Sequence, residues 1–288
     1  MRVRKAVLPV AGLGTRFLPA SKVVPKELFP IVDKPILEII IDELIDSGIE
    51  KILLVIRRGK EIISQHFDIN YELQENLKEF SKFELLEKIN SSNLASKITL
   101  IKQSQPLGFA DAISFSKDFV CGEPFILCTG DELVVNENKN CIKQLIDAYE
   151  RTNKSIVGVS FTPDDELHNY GIVDFERVGK YFQIKDIVEK PFINAPSNFA
   201  INGKYLMQSD IFEIIENQKN QIAGELLFTN CLLELARQGN AIGCEIIGKR
   251  YDTGDKFGFI KANIEYGLKD KNVSIKLKKY LRSVVNEL

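Results

Sequence analysis

The sequence predicts an α/β fold. Three observations carry that prediction: strand-like and helix-like segments alternate through the first half, the strands are apolar almost throughout, and the chain is long enough to cover a sheet on both faces. With 288 residues, 44% of them hydrophobic and 27% charged, it can bury a sizeable core. A first strand at Lys5–Val10 runs into the turn AGLGTRF. A helix over Pro35–Ser47 has proline in its first turn, places Ile36, Leu37, Ile40, Ile41, Leu44 and Ile45 on one side and Glu38, Asp42, Glu43 and Asp46 on the other, and stops at Gly48. Further strands are expected at Lys51–Ile56, Lys97–Gln103 and Phe125–Thr129, with helices at Lys60–Phe67, Tyr71–Ile89, Ala110–Phe119 and Cys141–Thr152 between and after them. LLVI and FILC have no polar side and suit a parallel sheet buried on both faces.

From Ser155 the rhythm changes to clustered strands, SIVGVSF, YGIVDF, FQIKDIVEK and AINGKYLM, with a later strand EIIGKRY. Helices return at Asp210–Glu216, Glu225–Gln238, Lys256–Gly267 and Val273–Glu287. No repeat, low-complexity stretch or Pro/Gly-rich linker marks a boundary, so residues 1–288 read as one domain.

Charge and cysteine usage exclude several function classes. A net charge of −2 gives no bulk attraction to nucleic acid or to an anionic membrane, so any anionic ligand needs a local basic cluster. No apolar run approaches the roughly 20 residues of a membrane span, and the start lacks an apolar signal core; a cytoplasmic protein is expected. The five cysteines, Cys121, Cys128, Cys141, Cys231 and Cys244, are odd in number and contain no C-x-x-C pair. Neither a disulfide framework nor a zinc site follows.

Gly12-Leu13-Gly14 stands where a dinucleotide fingerprint would begin, but Phe17 occupies the position of its third glycine. Pro19, Pro25 and Pro30 forbid a continuous helix behind the turn, and no G-K-[ST] follows to make a P-loop. What remains is a glycine turn with Arg16, Lys22 and Lys26 along an extended, proline-stiffened segment. Two readings stay open for it: a polyphosphate cradle of backbone N–H groups and cations, or a mobile loop whose basic residues face water.

Read whole, the stretch AGLGTRFLPASKVVPKELFPIVDKP resembles the signature of the sugar-nucleotide pyrophosphorylases: G-x-G-T-R, then P-x-x-x-x-x-P-K-E, then a D-K-P helix start. Within that family it is similar to the bacterial enzymes that join UTP to glucose 1-phosphate. The similarity continues through HFDINYELQ (66–74), QPLGFADAI (105–113), Gly130-Asp131, YGIVD (170–174), VEKP (188–191), APSNFAINGKY (195–205) and KRYDTGDKFGFIKANIEYGL (249–268), in the family's order and spacing.

The resemblance implies a Rossmann-like mixed, mostly parallel sheet flanked by helices, with an added β-rich sugar-binding portion and C-terminal helices. Residues 1–154 would mainly bind nucleotide, 155–267 mainly sugar, and 268–288 would form a helical tail. It implies conversion of UTP and glucose 1-phosphate to UDP-glucose and pyrophosphate, with Mg²⁺ as cofactor and a homodimer or homotetramer as assembly. Residue by residue, it puts Ala11, Gly12, Gly14, Gln103 and Gly108 around the nucleotide, Arg16 on the triphosphate tail, and Lys26 on the phosphates where charge develops. Lys190 would hold the sugar phosphate, and Glu189 and the Gly171 backbone the sugar hydroxyls. In isolation Glu189–Lys190 reads as an ordinary exposed ion pair at a strand end.

Asp131 and Asp252 each follow a strand end and would share one Mg²⁺, which accepts one or two carboxylates beside water and phosphates. Each also reads as an ordinary turn aspartate. No Ser/His/Asp or Cys/His constellation is present, and His66 and His168 read as surface or packing residues. The sequence departs from the family pattern in Glu132, in GFADA for G-x-G-H-A (Ala110 for Gly, Asp111 for His), and in GELLFTN, where Glu225 and Thr229 persist but Gly224, Leu227 and Asn230 replace polar or acidic residues. These changes leave base and sugar preference open, with a thymidylyltransferase, an enzyme for another sugar, and a regulatory sugar-nucleotide-binding paralogue as the alternatives.

Overall fold

The computed structural model describes residues 1–92, 94–105, 107–221 and 224–287. Pro106 of the QPLGFADAI motif and Leu288 of the C-terminal tail lie outside the described residues. Strand β1 (Lys5–Pro9) leads through three 3-10 turns (Thr15–Phe17, Ala20–Lys22, Lys26–Leu28) and a small hairpin, β2 (Pro30–Ile31) with β3 (Lys34–Pro35), into helix α1 (Ile36–Asp46). Then follow β4 (Lys51–Ile56), α2 (Ile62–Phe67), α3 (Tyr71–Glu79), α4 (Phe83–Ser91), β5 (Ile98–Lys102), α5 (Phe109–Ser114), α6 (Lys117–Val120), β6 (Phe125–Cys128), β7 (Glu132–Val135) and α7 (Cys141–Thr152). The second half runs β8 (Ser155–Phe161), β9 (Gly171–Val178), β10 (Tyr181–Glu189), β11 (Phe199–Met207), α8 (Ile211–Lys219), α9 (Phe228–Arg237), β12 (Ala241–Glu245), β13 (Lys249–Asp252), α10 (Lys256–Lys269) and α11 (Ser274–Glu287).

Nine strands form one mixed sheet in the order β5-β4-β1-β6-β11-β8-β12-β10-β9. β5, β4, β1 and β6 are mutually parallel, β11 is antiparallel to both β6 and β8, β12 is parallel to β8, and β10 is antiparallel to β12 and β9. Seven of the nine strands therefore share one sense. β9 also returns to pair with β11 through Ala200 and Ile172, which curls the far end of the sheet. β7 and β13 make a separate antiparallel ribbon that sets Asp252 opposite Glu132.

Successive residues of the central strands enter opposite cores, as a pleat of period two requires. Ala6 and Leu8 of β1 with Ile52, Leu54 and Ile56 of β4 pack under α1 and α7 on one face. Val7, Leu53 and Val55 join Ala110, Ile113, Leu232 and Leu235 of α5 and α9 on the other. The apolar runs LLVI and FILC thus serve two helical layers at once.

Four local differences from the sequence expectation have physical causes. The helix expected over Tyr71–Ile89 breaks between α3 and α4, where Ser81 takes a left-handed φ of 55°. The Ala110–Phe119 helix divides into α5 and α6 at Ser116, whose hydroxyl donates back to the Ile113 carbonyl at 2.7 Å and competes with the helical ladder. EIIGKRY is not one strand: β12 ends at Glu245, and the chain leaves the main sheet for the β7 ribbon at β13. The segment behind Gly14, expected to be extended, instead winds into 3-10 turns that fold Lys26 back over the end of β1.

Candidate active site

The carboxyl ends of the parallel strands β5, β4, β1 and β6 lie along one edge of the sheet, and ligands of open α/β sheets gather at such ends. From β1 comes the glycine turn, from β5 Gln103, and from β6 Thr129-Gly130-Asp131. Gly14 takes φ 68° and offers its carbonyl to the Ser21 hydroxyl at 2.6 Å, which closes the turn. A side chain at Gly14 would press on Ser21 at 3.2 Å and on Lys26 at 3.6 Å. Below this turn a buried ion pair pins the segment to the sheet: Lys60 Nζ donates to Glu27 Oε1 at 2.8 Å, to Glu27 Oε2 at 2.7 Å and to the Val10 carbonyl at 2.7 Å. Burial lowers the Lys60 pKa against the pull of Glu27.

Lys26, next to Glu27 on the same 3-10 turn, reaches the Asp131 carboxylate. Burial works against both charges, but each offsets it for the other, so Lys26 is raised and Asp131 lowered from their ordinary values. Asp252 arrives from β13, and Arg16 Nη1 lies 3.8 Å from its Oδ2. Burial and the neighbouring Asp131 charge push Asp252 up, against Arg16 and Arg250. A point at the Cβ direction of Gly254 lies 2.5 Å from Asp131 Oδ2 and 3.0 Å from Asp252 Oδ1, so the two carboxylates converge across a glycine.

These are hard oxygen donors, mutually repulsive and close enough to face one position, which suits a Mg²⁺ that keeps water and phosphate as its other ligands. Among the described residues no group of three or more His, Cys, Asp or Glu could hold a metal, so two carboxylates are what the protein offers.

Two adjoining cavities meet at Asp131. One, of about 420 Å³, is lined by Ala11, Gly12, Lys26, Gln103 and Gly108; the other, of about 300 Å³, by Arg16, Gly171, Glu189, Lys190 and Asp252. Phe109, Thr129, Asp131 and Glu225 line both. All the residues singled out from the sequence therefore border this double cavity except Gly14, which shapes the turn from outside, and Lys22 is exposed and borders neither part. Depressions of about 550 Å³ at Asp164–Asn198 and beside Met1–Asn153 are larger, but neither shares a lining residue with the double cavity.

Gly108 is required twice over. Its φ is 97°, and a Cβ there would meet the Glu225 side chain at 2.6 Å. Lys190 also has a left-handed backbone, φ 46°, with its N–H donating to the Tyr170 carbonyl at 2.9 Å; its ammonium is 4.0 Å from Glu189 and largely exposed. That geometry leaves the cation free to meet an anion entering the second cavity.

Sequence reasoning overlooked the supporting residues. Arg250 grips Glu132 through two hydrogen bonds, one of 2.9 Å from Nε, and lies 3.9 Å over the Tyr170 ring; the Tyr170 hydroxyl donates to Asp252 Oδ2 at 3.3 Å. Burial pushes Glu132 up to about 7 and Arg250 pulls it down, while the neighbouring Asp252 and Asp131 add to the rise. Glu27, Arg250 and Tyr170 all stand inside quoted motifs, beside residues that were selected; Lys60 had no such signal. His66 pairs with the buried Glu38 at 2.7 Å, on α1, and lines neither cavity.

Residues 5–267 match the nucleotidyl transferase family. The chain is similar to the UTP–glucose-1-phosphate uridylyltransferase of Bacillus subtilis (strain 168), with 41% identity over 288 residues, 99% of this chain and 98% of that protein. Its fold is similar to that of a UTP-bound UGPase from Acinetobacter baumannii, at a TM-score of 0.89 and 34% identity over 97% of this chain and 99% of the other. It is also similar to a UDP-glucose pyrophosphorylase complexed with UDP-glucose, at a TM-score of 0.83 and 33% identity over 93% and 100%. With the family match spanning most of its length and a full-length relative at this identity, the chain belongs to the nucleotidyl transferase family.

Proposed function

We infer that the chain is a UTP–glucose-1-phosphate uridylyltransferase, forming UDP-glucose and releasing pyrophosphate. One observation carries the reading: two cavities of different lining meet at a carboxylate that faces both a lysine and a second carboxylate. The phosphate oxygen of the sugar attacks the α-phosphorus of UTP in line while pyrophosphate leaves, so positioning and charge neutralisation are what the protein must supply. No nucleophilic side chain is needed.

The glycine-turn cavity takes the nucleotide, with Ala11, Gly12, Gln103 and Gly108 at the base. The second cavity takes the sugar, with Glu189 accepting from its hydroxyls beside Gly171 and Lys190 meeting its phosphate. Arg16 holds the triphosphate tail. The Lys26 ammonium exchanges Asp131 for phosphate oxygens as charge develops at the reacting phosphorus. A Mg²⁺ held by Asp131 and Asp252 would supply Lewis-acid polarisation and charge neutralisation at the α-phosphate.

In this reading residues 1–154 serve mainly the nucleotide and 155–267 mainly the sugar, in keeping with the origin of the two linings. Self-association as a homodimer or homotetramer belongs to it too: α11 buries no side chain, and its Ile275 and Val285 are 81% and 69% exposed. A cytoplasmic setting fits five free cysteines and the lack, among the described residues, of any helix long and apolar enough to cross a membrane.

The test is pyrophosphate release by the purified chain with UTP, glucose 1-phosphate and Mg²⁺. Turnover with this pair is expected. No product from any pairing of UTP with a sugar 1-phosphate at saturating Mg²⁺ would refute the reading, and parallel reactions with dTTP and other sugars define the preference.

A further inference from the structure

We propose that Asp111, itself held by Lys219, fixes the direction of the Gln103 amide and thereby makes the nucleotide cavity select uracil over cytosine. The proposal rests on the uridylyl-transfer reading and adds the residue that sets its base preference. Gln103 is buried at the end of β5, and its Nε2 donates to Asp111 Oδ2 at 2.6 Å and to the Gly108 carbonyl at 3.3 Å. A side-chain amide has two N–H donors, and here both meet groups that can only accept. Chemistry therefore decides which end of the amide points where.

Gln103 Oε1 makes no hydrogen bond among the described residues, and Gln103 lines the nucleotide cavity, so the cavity is offered an acceptor. Ala11, Gly12 and Gly108 border the same cavity, and their backbone N–H groups donate to nothing among the described residues. Donors beside an acceptor complement the edge of uracil, which presents N3–H between two carbonyls. Cytosine has a bare lone pair at N3, and two acceptors would then face one another.

Asp111 is buried on α5, and its second oxygen accepts from Lys219 Nζ at 2.5 Å across from α8. The ammonium keeps a charged acceptor at this depth by giving it a partner. The family pattern has histidine at this position, whose ring presents either a donor or an acceptor; a carboxylate only accepts.

Asp111→Asn keeps the shape but replaces one acceptor by a donor. The Lys219 ammonium can take only the Asn oxygen, which turns the Asn nitrogen toward Gln103 and draws the Gln103 oxygen out of the cavity. Binding of UTP and of CTP, each with Mg²⁺ and without sugar phosphate, is measured by calorimetry for the parent, Asp111→Asn and Asp111→Ala. The Ala variant keeps α5, since alanine is the strongest helix former, and removes the acceptor without adding a donor.

The parent is expected to prefer UTP, and Asp111→Asn to lower the UTP:CTP affinity ratio by about tenfold or more, because a site with a mismatched polar group rejects its ligand steeply. Asp111→Ala should lower the ratio less than Asn does. An unchanged ratio in either folded variant, or equal loss for both nucleotides, overturns the proposal, since a residue that only supports the fold weakens both alike. A parent that binds UTP and CTP equally also overturns it and leaves the transferase reading standing. A parent that binds UTP tightly but releases no pyrophosphate with any sugar phosphate sinks the transferase reading instead.

Discussion

Glu27→Gln isolates the charge that pins the glycine-turn segment to the sheet. Glu27 and Lys60 are 2% and 3% exposed, and their closest contact is 2.7 Å. At that separation the attraction is about 6 kcal/mol with an effective dielectric near 20, much of it offset by desolvation of the two groups. Without the carboxylate, Lys60 has two courses. It stays charged with only neutral acceptors, at about 3–5 kcal/mol for a broken buried pair, or it sheds its proton, at about 4.6 kcal/mol at pH 7. The cheaper course sets the cost at about 3–4.6 kcal/mol. For 288 residues, at about 2.1 cal/mol/K each, the unfolding entropy is about 0.6 kcal/mol/K, so Tm should fall by about 5–8 °C. Scanning calorimetry of the parent and variant at pH 7 measures it. The double change Glu27→Leu with Lys60→Met should recover most of the loss, because a neutral pair of similar volume leaves no orphaned charge. A Glu27→Gln protein melting within about 2 °C of the parent would refute the argument that this pair holds the segment.

Asp131→Asn and Asp252→Asn should each lower turnover by about 100-fold or more, and the double variant should be little worse than either, because the two act as a unit; fully multiplicative losses in the pyrophosphate assay would separate their roles. Lys26→Ala should act mainly on kcat, whereas Lys190→Ala should also raise the KM for glucose 1-phosphate, and near-parental kinetics for both would remove them from the mechanism. Glu123 is held at about 2 by hydrogen bonds from Arg4 and Lys5, with their charges adding to the effect. Its folded pKa lies below the ordinary 4.5, so its contribution is fully present above pH 4.5 and is lost as pH falls toward 2. Melting of Glu123→Gln across that window should show a shallower acid decline than the parent, and parallel declines would count against this pairing.

The elements most legible in the sequence were those with one dominant signal. Lys51–Ile56 and Cys141–Thr152 were read to the residue; the first is an unbroken apolar run, and the second is a helix whose start the structure shows capped by Asn140, which accepts from the Lys143 N–H at 2.9 Å. Legibility failed where backbone conformation turned on a single residue without a breaker's signature, as at Ser81, and where a strand changed partners, as between β12 and β13. Motif residues on the cavities could be named because turns and strand ends carry local signals. Their supports could not: Lys60 reads as one more surface lysine after a glycine until the fold brings Glu27, 33 positions away, beneath it. Asp111 was noticed as a departure from the family pattern, but only the partners Gln103 and Lys219 give the departure a chemical meaning.

The Lys26–Asp131 contact leaves the resting site self-neutralised: under the proposed function, the cation that would meet phosphate is already occupied by a carboxylate that would hold metal. A lone polyanion arriving there would strand Asp131, and a lone divalent cation would displace Lys26 into a site with nothing to balance it. The two ligands therefore relieve each other's penalty, and by reciprocity each raises the other's affinity by the same factor. On that reading such a site would fill in one concerted event from the metal–nucleotide complex and resist half-loaded states, so adding a chelator should release nucleotide as well as metal.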